Sequence, residues 1–209
     1  SVWTARVERW NANVAPVAAA VIGDLAQLLH RRRPESTIGD FICDAMRWDS
    51  KADIAMQNPG GMRADHPEGT VTRGSVYEVM PFDNTIVTET ITGRAVKLAL
   101  EQALSHDRVT QVSGVRYTVD ASQPAGSRVT AITMADGSPI VDDKRYTVAV
   151  NNFMATGGDN YDALGSGADK VDTGQVIRGA MEDYVRAKCA GGASLAIRQI
   201  GRASCRERV

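Results

Sequence analysis

Asp53-Ile54-Ala55-Met56-Gln57-Asn58-Pro59-Gly60-Gly61-Met62-Arg63 is the stretch on which the reading of this chain turns. Its apolar start reads as a short buried strand, ended by a proline and two glycines. The strand brings Asn58 and the glycine pair to its end, with Arg63 five residues past Asn58. Without Cβ atoms, Gly60 and Gly61 let backbone N–H groups come close to an anion. A guanidinium at Arg63 can grip phosphate or carboxylate in a forked geometry.

Two further segments have the same character, Pro81-Phe82-Asp83-Asn84 and Asn152-Phe153-Met154-Ala155-Thr156-Gly157-Gly158-Asp159-Asn160-Tyr161. Taken singly, each has an ordinary reading: a tight turn, a proline-ended helix with a core phenylalanine, a flexible glycine loop. Arg31 to Arg33 alone would be a solvated charge run. Together they complement one another. Phe82 and Phe153 sit at element ends, where rings can project into a cleft and sandwich a flat base. Asp159, freed by Gly157 and Gly158, offers a pair of acceptors suited to the hydroxyls of a cis-diol.

The rest of the chain bounds the class. With 209 residues it is long enough to bury a sizeable core, and 43% hydrophobic and 23% charged residues are ordinary for a globular protein. A net charge of -1 supplies no global field for nucleic acid, so DNA and RNA are not expected partners. No apolar run approaches the roughly 18 residues of a membrane span. Cys43 reads as a small buried hydrophobe, and neither it nor Cys189 has metal-type spacing. His30, His66 and His106 are scattered in polar surroundings and are expected at the surface. No metal centre or other cofactor is expected in this domain.

Trp3, Val7, Trp10 and Val14 follow at spacings of four, three and four, one stripe of a helix over 2–15 that Pro16 makes awkward to continue. Residues 19–29 fit either a helix through Val21, Leu25 and Leu28 or a strand alternating at Val21, Gly23, Leu25, Gln27 and Leu29. Ser36-Thr37 opens a helix through Ile38, Phe41, Ile42, Ala45 and Met46. Further helices are expected over 74–79, 93–104 and 175–188, and strands over 85–91, 115–119, 128–134 and 146–150. Residues 204–209 are polar and without period, and 203–209 is expected to be a disordered or non-native tail. Strands and helices mix without a strict βαβ repeat, which makes the fold class α+β.

The chain resembles the C-terminal, substrate-binding domain of the 5'-nucleotidases, the family of UDP-sugar hydrolases and ecto-5'-nucleotidases. The resemblance rests on Ile38 to Met46, Asn58 to Arg63, Pro81 to Asn84, Thr92-Gly93, Val112 to Tyr117 and Asn152 to Tyr161, six matches in family order. It implies mixed sheets flanked by helices in a layered α/β/β/α sandwich, an interdomain-type helix at 1–16 and the domain proper at 17–202. It also favours a strand over about 19–29. Asn58 would contact the base and Arg63 the phosphate, with Arg32 a second phosphate contact and Arg33 its near alternative. Phe82 and Phe153 would be the stacking rings and Asp159 the ribose acceptor, with Gly60, Gly61 and Gly158 shaping the loops.

Pro59 stands where the family motif has a glycine, and Asn160 where a glycine usually follows the aspartate. Family members cut phosphate esters with two divalent metal ions in an N-terminal metallophosphoesterase domain. The Asp-x-His and Gly-Asn-His motifs of that domain do not occur in this sequence. The resemblance therefore implies a domain that binds a nucleotide or nucleoside and leaves hydrolysis to its partner domain in the parent enzyme. It also implies a periplasmic, cell-wall or extracellular setting. A cell-surface binding module, or a parent acting on UDP-sugars or cyclic nucleotides, remains the alternative.

Overall fold

The computed structural model describes residues 2–199 and 202–206. The first half holds α1 (Val2–Ala18), β1 (Val21–Leu25), α2 (Thr37–Ser50), β2 (Ile54–Gln57), β3 (Gly69–Thr72), α3 (Arg73–Val79), β4 (Thr85–Thr92) and α4 (Gly93–Ser105). Then come β5 (Gln111–Ser113), β6 (Val115–Asp120), β7 (Val129–Met134), β8 (Arg145–Asn151), α5 (Asn152–Ala155), α6 (Asp162–Gly165), β9 (Ala168–Val176), α7 (Ile177–Lys188) and β10 (Ala203–Arg206).

A five-stranded sheet, ordered β5-β2-β8-β4-β9, is the centre. β2 and β8 run parallel, and every other pairing in it is antiparallel. Strand side chains alternate between faces, and at β2 and the second half of β8 both faces are buried. Ile54, Met56, Val148 and Val150 join one core, whereas Ala55 and Ala149 join the other. Helices α2, α3 and α7 cover the alanine face through Ile38, Ile42, Met46, Val76 and Met181. On the opposite face lie α4 and a three-stranded sheet, β10-β6-β7, contributing Leu100, Tyr117, Val129 and Ile132. Each aliphatic side chain so buried contributes about 1.5–3 kcal/mol, so the two-sided core dominates the energetics. The fold is α+β, with mixed sheets flanked by helices.

Local chemistry sets the helix starts. Ser36 caps α2 by accepting from the Gly39 N–H, and Thr92 caps α4 by accepting from Ala95. Thr72 and Ser75 form a reciprocal capping box at α3. No described helix is long and apolar enough to cross a membrane.

Several expectations need correction. The first helix continues through Pro16 to Ala18, and no residue of α1 is buried. The Ala12 carbonyl that Pro16 leaves without a donor can therefore bond water. Residues 21–25 are a strand, but its inward positions are Ile22 and Leu25, while Val21 is exposed. A bulge between Val21 and Gly23 breaks the simple alternation. His66 is buried rather than exposed, its ring nitrogens 2.7 Å from the Pro67 carbonyl and 2.8 Å from Ser75 Oγ. Residues 175 and 176 belong to β9, not to α7. Ala203–Arg206 is not a loose tail: it adds a parallel strand to β6. Residues 207–209 lie outside the described residues.

Candidate functional site

Strand direction decides where the three sequence segments meet. Because β2 and β8 are parallel, Gln57 and Asn151 end at the same edge of the central sheet. β4 is antiparallel to β8, with Ile86 opposite Asn151, so it begins where β8 stops. Asn58 to Arg63, Pro81 to Asn84 and Asn152 to Tyr161 therefore converge on one edge.

They enclose a cleft of about 300 Å³ lined by Asn58, Gly60, Gly61, Phe82, Asn84, Asn151, Phe153 and Asp159. Six of the nine residues singled out in the sequence are in that lining. Phe82 and Phe153 are 44% and 47% exposed, so each leaves a large apolar face open beside the cleft. Rings of that size bury well in cores; two left half-open on one cleft are a feature to be explained by a ligand.

The first segment forms a short 3₁₀ turn, Pro59–Gly61. Pro59 takes its first position, where an N–H would have no partner inside the turn, so the missing donor is tolerated. At Gly61 a Cβ would lie 2.3 Å from Gln57 Nε2, so any other residue would push that amide aside. The Gly61 N–H donates to the Asn58 carbonyl at 3.3 Å, a bond that an incoming anion would have to share. Arg63 stands at the rim, exposed, its guanidinium carbon 5.9 Å from the Phe82 ring centroid.

Beneath the cleft lies a buried amide network. Asn58 Nδ2 donates to Asp159 Oδ2 at 2.7 Å, while Asn58 Oδ1 accepts from Asn151 at 2.9 Å and from Gln57 at 3.1 Å. Asn58 is thus largely committed to the protein, with one amide hydrogen left over. Arg108 completes the grip on Asp159: its Nη1 donates to the Asp159 carbonyl at 2.8 Å and lies 3.4 Å from Oδ1. The carboxylate is fixed from two sides before any ligand arrives.

The third segment is shaped by its glycines. Asn151 caps α5 by accepting from Met154, which orients Phe153 outward. A Cβ on Gly158 would sit 2.6 Å from Cε2 and Cζ of Phe153, so this glycine lets the ring lie against the loop. Asp159 and Asn160 both have positive φ, 59° and 66°. Asn and Asp tolerate that region better than other residues with side chains, which explains Asn160 in place of a glycine.

The Phe82 loop is held from α7. Arg178 donates to the Met80 carbonyl at 3.2 Å, to the Phe82 carbonyl and to the Asp83 carboxylate. Asn84 adds an Nδ2 donation to Asn152 Oδ1 at 2.6 Å, tying the second segment to the third.

Arg32 is not brought to this cleft. It lines a separate hollow with His30, Arg33 and Pro34, and Arg33 pairs with Asp107 at 3.3 Å. The neighbouring arginine tied to the motif is Arg31, which donates to the Arg63 carbonyl at 2.9 Å. Asn84, Asn151, Arg108 and Arg178 escaped sequence reading as site residues. Asn84 and Asn151 lie in or beside the quoted segments and were within reach; nothing local marks Arg108 or Arg178. Among the described residues no three His, Cys, Asp or Glu side chains gather as a metal site.

Fold and cleft together describe an α+β domain whose central sheet ends in a cleft lined by two rings, amides and a carboxylate. Residues 17–166 match the family profile described as 5'-nucleotidase, C-terminal domain, and the chain belongs to that family. It is 38% identical over 160 residues to the trifunctional nucleotide phosphoesterase protein YfkN of Bacillus subtilis, covering 70% of this chain and 11% of that protein. It is 31% identical over 145 residues to cell wall protein Lmo0130 of Listeria monocytogenes, covering 62% of this chain and 18% of the other. Among solved structures, the 5'-nucleotidase precursor of Thermus thermophilus superposes with a TM-score of 0.87 at 33% identity, covering 97% of this chain and 43% of that one. The chain thus spans less than half the length of these relatives.

Proposed function

We propose that the cleft binds a nucleotide, with the base between Phe82 and Phe153, the ribose hydroxyls on Asp159 and the phosphate at Arg63. The observation that carries this reading is the pair of half-exposed rings facing a carboxylate already clamped by Asn58 and Arg108. Stacking contributes roughly 1–3 kcal/mol per base. A preformed acceptor for the ribose spares the ligand the cost of ordering it. Arg32 serves as the second phosphate contact only if its segment moves, since it stands outside the cleft.

In the whole protein this domain supplies binding and orientation to an enzyme that hydrolyses nucleotide phosphate esters. The two divalent metal ions belong to an N-terminal metallophosphoesterase domain, and α1 is the helix that leads to it. By itself the chain binds and does not cut. The cell-wall relative supports a site of action at the cell surface or outside the cell.

Calorimetric titration of this chain with AMP, adenosine and UMP in metal-free buffer tests the reading. Saturable binding with a preference for one base is the expected result. Absence of binding for all three overturns it.

A further inference from the structure

The loop that presents Phe153 and Asp159 is anchored from below by a charge pair that no sequence motif marks. Lys170, on the edge strand β9, donates from Nζ to the Ala155 carbonyl at 2.6 Å and to the Gly165 carbonyl at 2.7 Å. Ala155 ends the helix that carries Phe153, and Gly165 ends the helix that follows Asp159. One ammonium therefore holds both ends of the loop.

Lys170 owes its direction to a β-bulge. Thr88 pairs with Val171 and Thr90 with Ala168, so two steps along β4 match three along β9. Asp169 inside the bulge has φ 52°, the left-handed conformation that turns the following side chain. Bulges commonly re-aim a side chain beside a functional site. Below the ammonium lies Glu89 on β4, fully buried, with Oε2 3.5 Å from Lys170 Nζ. A Cβ on Gly167 would come within 2.2 Å of that oxygen, so a side chain there would displace the carboxylate. Opposite Glu89, β8 places uncharged Val148. A buried carboxylate beside a single cation is a costly arrangement to retain, and the loop it anchors is the one that forms the cleft.

We propose that Lys170 and Glu89 are positioning residues for ligand binding: the ammonium, seated on the buried carboxylate, holds the loop that carries Phe153 and Asp159. The proposal rests on the nucleotide reading of the cleft for its ligand, but not for the anchoring itself. Neither residue lines the cleft, so the effect passes through the loop.

The test compares the chain with Lys170→Met/Glu89→Gln, which removes both charges and leaves no uncompensated carboxylate, and with Lys170→Arg, which keeps a cation. Thermal unfolding establishes that each is folded. Hydrogen exchange of the amides of residues 156–166 should quicken about tenfold in the double variant, the scale of losing charge-assisted bonds, and stay unchanged in α2. Adenosine affinity should fall by a similar factor, about tenfold, and largely recover in Lys170→Arg. Unchanged exchange in 156–166 overturns the anchoring. Faster exchange with unaltered adenosine affinity overturns the positioning role. If the unsubstituted chain binds neither adenosine nor AMP, the nucleotide reading fails and takes the ligand half of this proposal with it. The exchange rates still decide whether Lys170 holds the loop.

Discussion

Gly158→Ala probes the cleft without removing any group that would touch a ligand. The added methyl would lie 2.6 Å from Cε2 and Cζ of the Phe153 ring and from the Phe153 carbonyl oxygen. Real Cβ contacts essentially never fall below 3.0 Å, so the ring and its backbone must give way. Gly158 does not have a positive φ, so the alanine itself introduces no backbone strain. The damage falls on Phe153, through its ring and the backbone that aims it. If the ring leaves its stacking position, the loss is about 1–3 kcal/mol. That corresponds to a dissociation constant for adenosine roughly five- to 150-fold higher. Phe153→Ala should fall in the same range. Because both changes act on one ring, the double variant should bind no worse than the weaker single one. Calorimetric titration of the four proteins gives the cycle directly, and the coupling should be as large as a single effect. Unchanged adenosine affinity in Gly158→Ala would refute the reasoning. So would losses that simply multiply, since they would mean that Gly158 and Phe153 act separately.

Arg63→Ala should weaken AMP by roughly tenfold or more, the scale of a charged hydrogen bond, while leaving adenosine unaffected. Equal losses for both ligands in the same titrations would remove Arg63 from the phosphate role. Arg178→Ala frees the Pro81–Asn84 loop by deleting donors to Met80, Phe82 and Asp83. Adenosine affinity should drop about tenfold with a small fall in melting temperature; intact affinity would mean that the loop holds its own shape. Burial raises the carboxyl of Asp40 to about 8, against the pull of Arg202. The unfolded chain therefore loses this proton first, and the group's contribution to stability falls as pH rises from about 4 to about 8. Urea unfolding across that range should show a gentler decline in Asp40→Asn, and an identical slope in both proteins would rule out the buried proton.

The sequence carries the elements more clearly than their pairing. Ile38, Ile42 and Met46 on α2 and the β-branched run of β4 have periods that reflect burial on one face or on both, and they are found as expected. Strand β9 is unreadable for a physical reason: from Ala168 to Gly174 every residue is exposed, so no alternation marks it. β5 is three residues long, too short for any period. β10 reads as a tail because Ser204, Cys205 and Arg206 carry no apolar pattern, yet pairing with β6 needs only backbone groups. His66 shows the same limit from the other side. Its polar neighbours in sequence do not reveal that Ser75 and the Pro67 carbonyl satisfy its ring and let it be buried.

The site was legible as a list of side chains and not as an arrangement. Asn58, Phe82, Phe153 and Asp159 could be picked out because an amide, two rings and a carboxylate recur together at element ends marked by proline and glycine. What joins them is the parallel pairing of β2 with β8 and the antiparallel entry of β4, and strand order leaves no trace in local composition. The roles shift once the arrangement is known. Asn58 is first of all the residue that fixes Asp159, through a 2.7 Å bond spanning 101 positions of chain. Arg108 and Arg178 grip loops from elements far away in sequence, so their importance depends wholly on tertiary contacts. Local chemistry names the groups that line the cleft; the residues that hold those groups still are visible only in three dimensions.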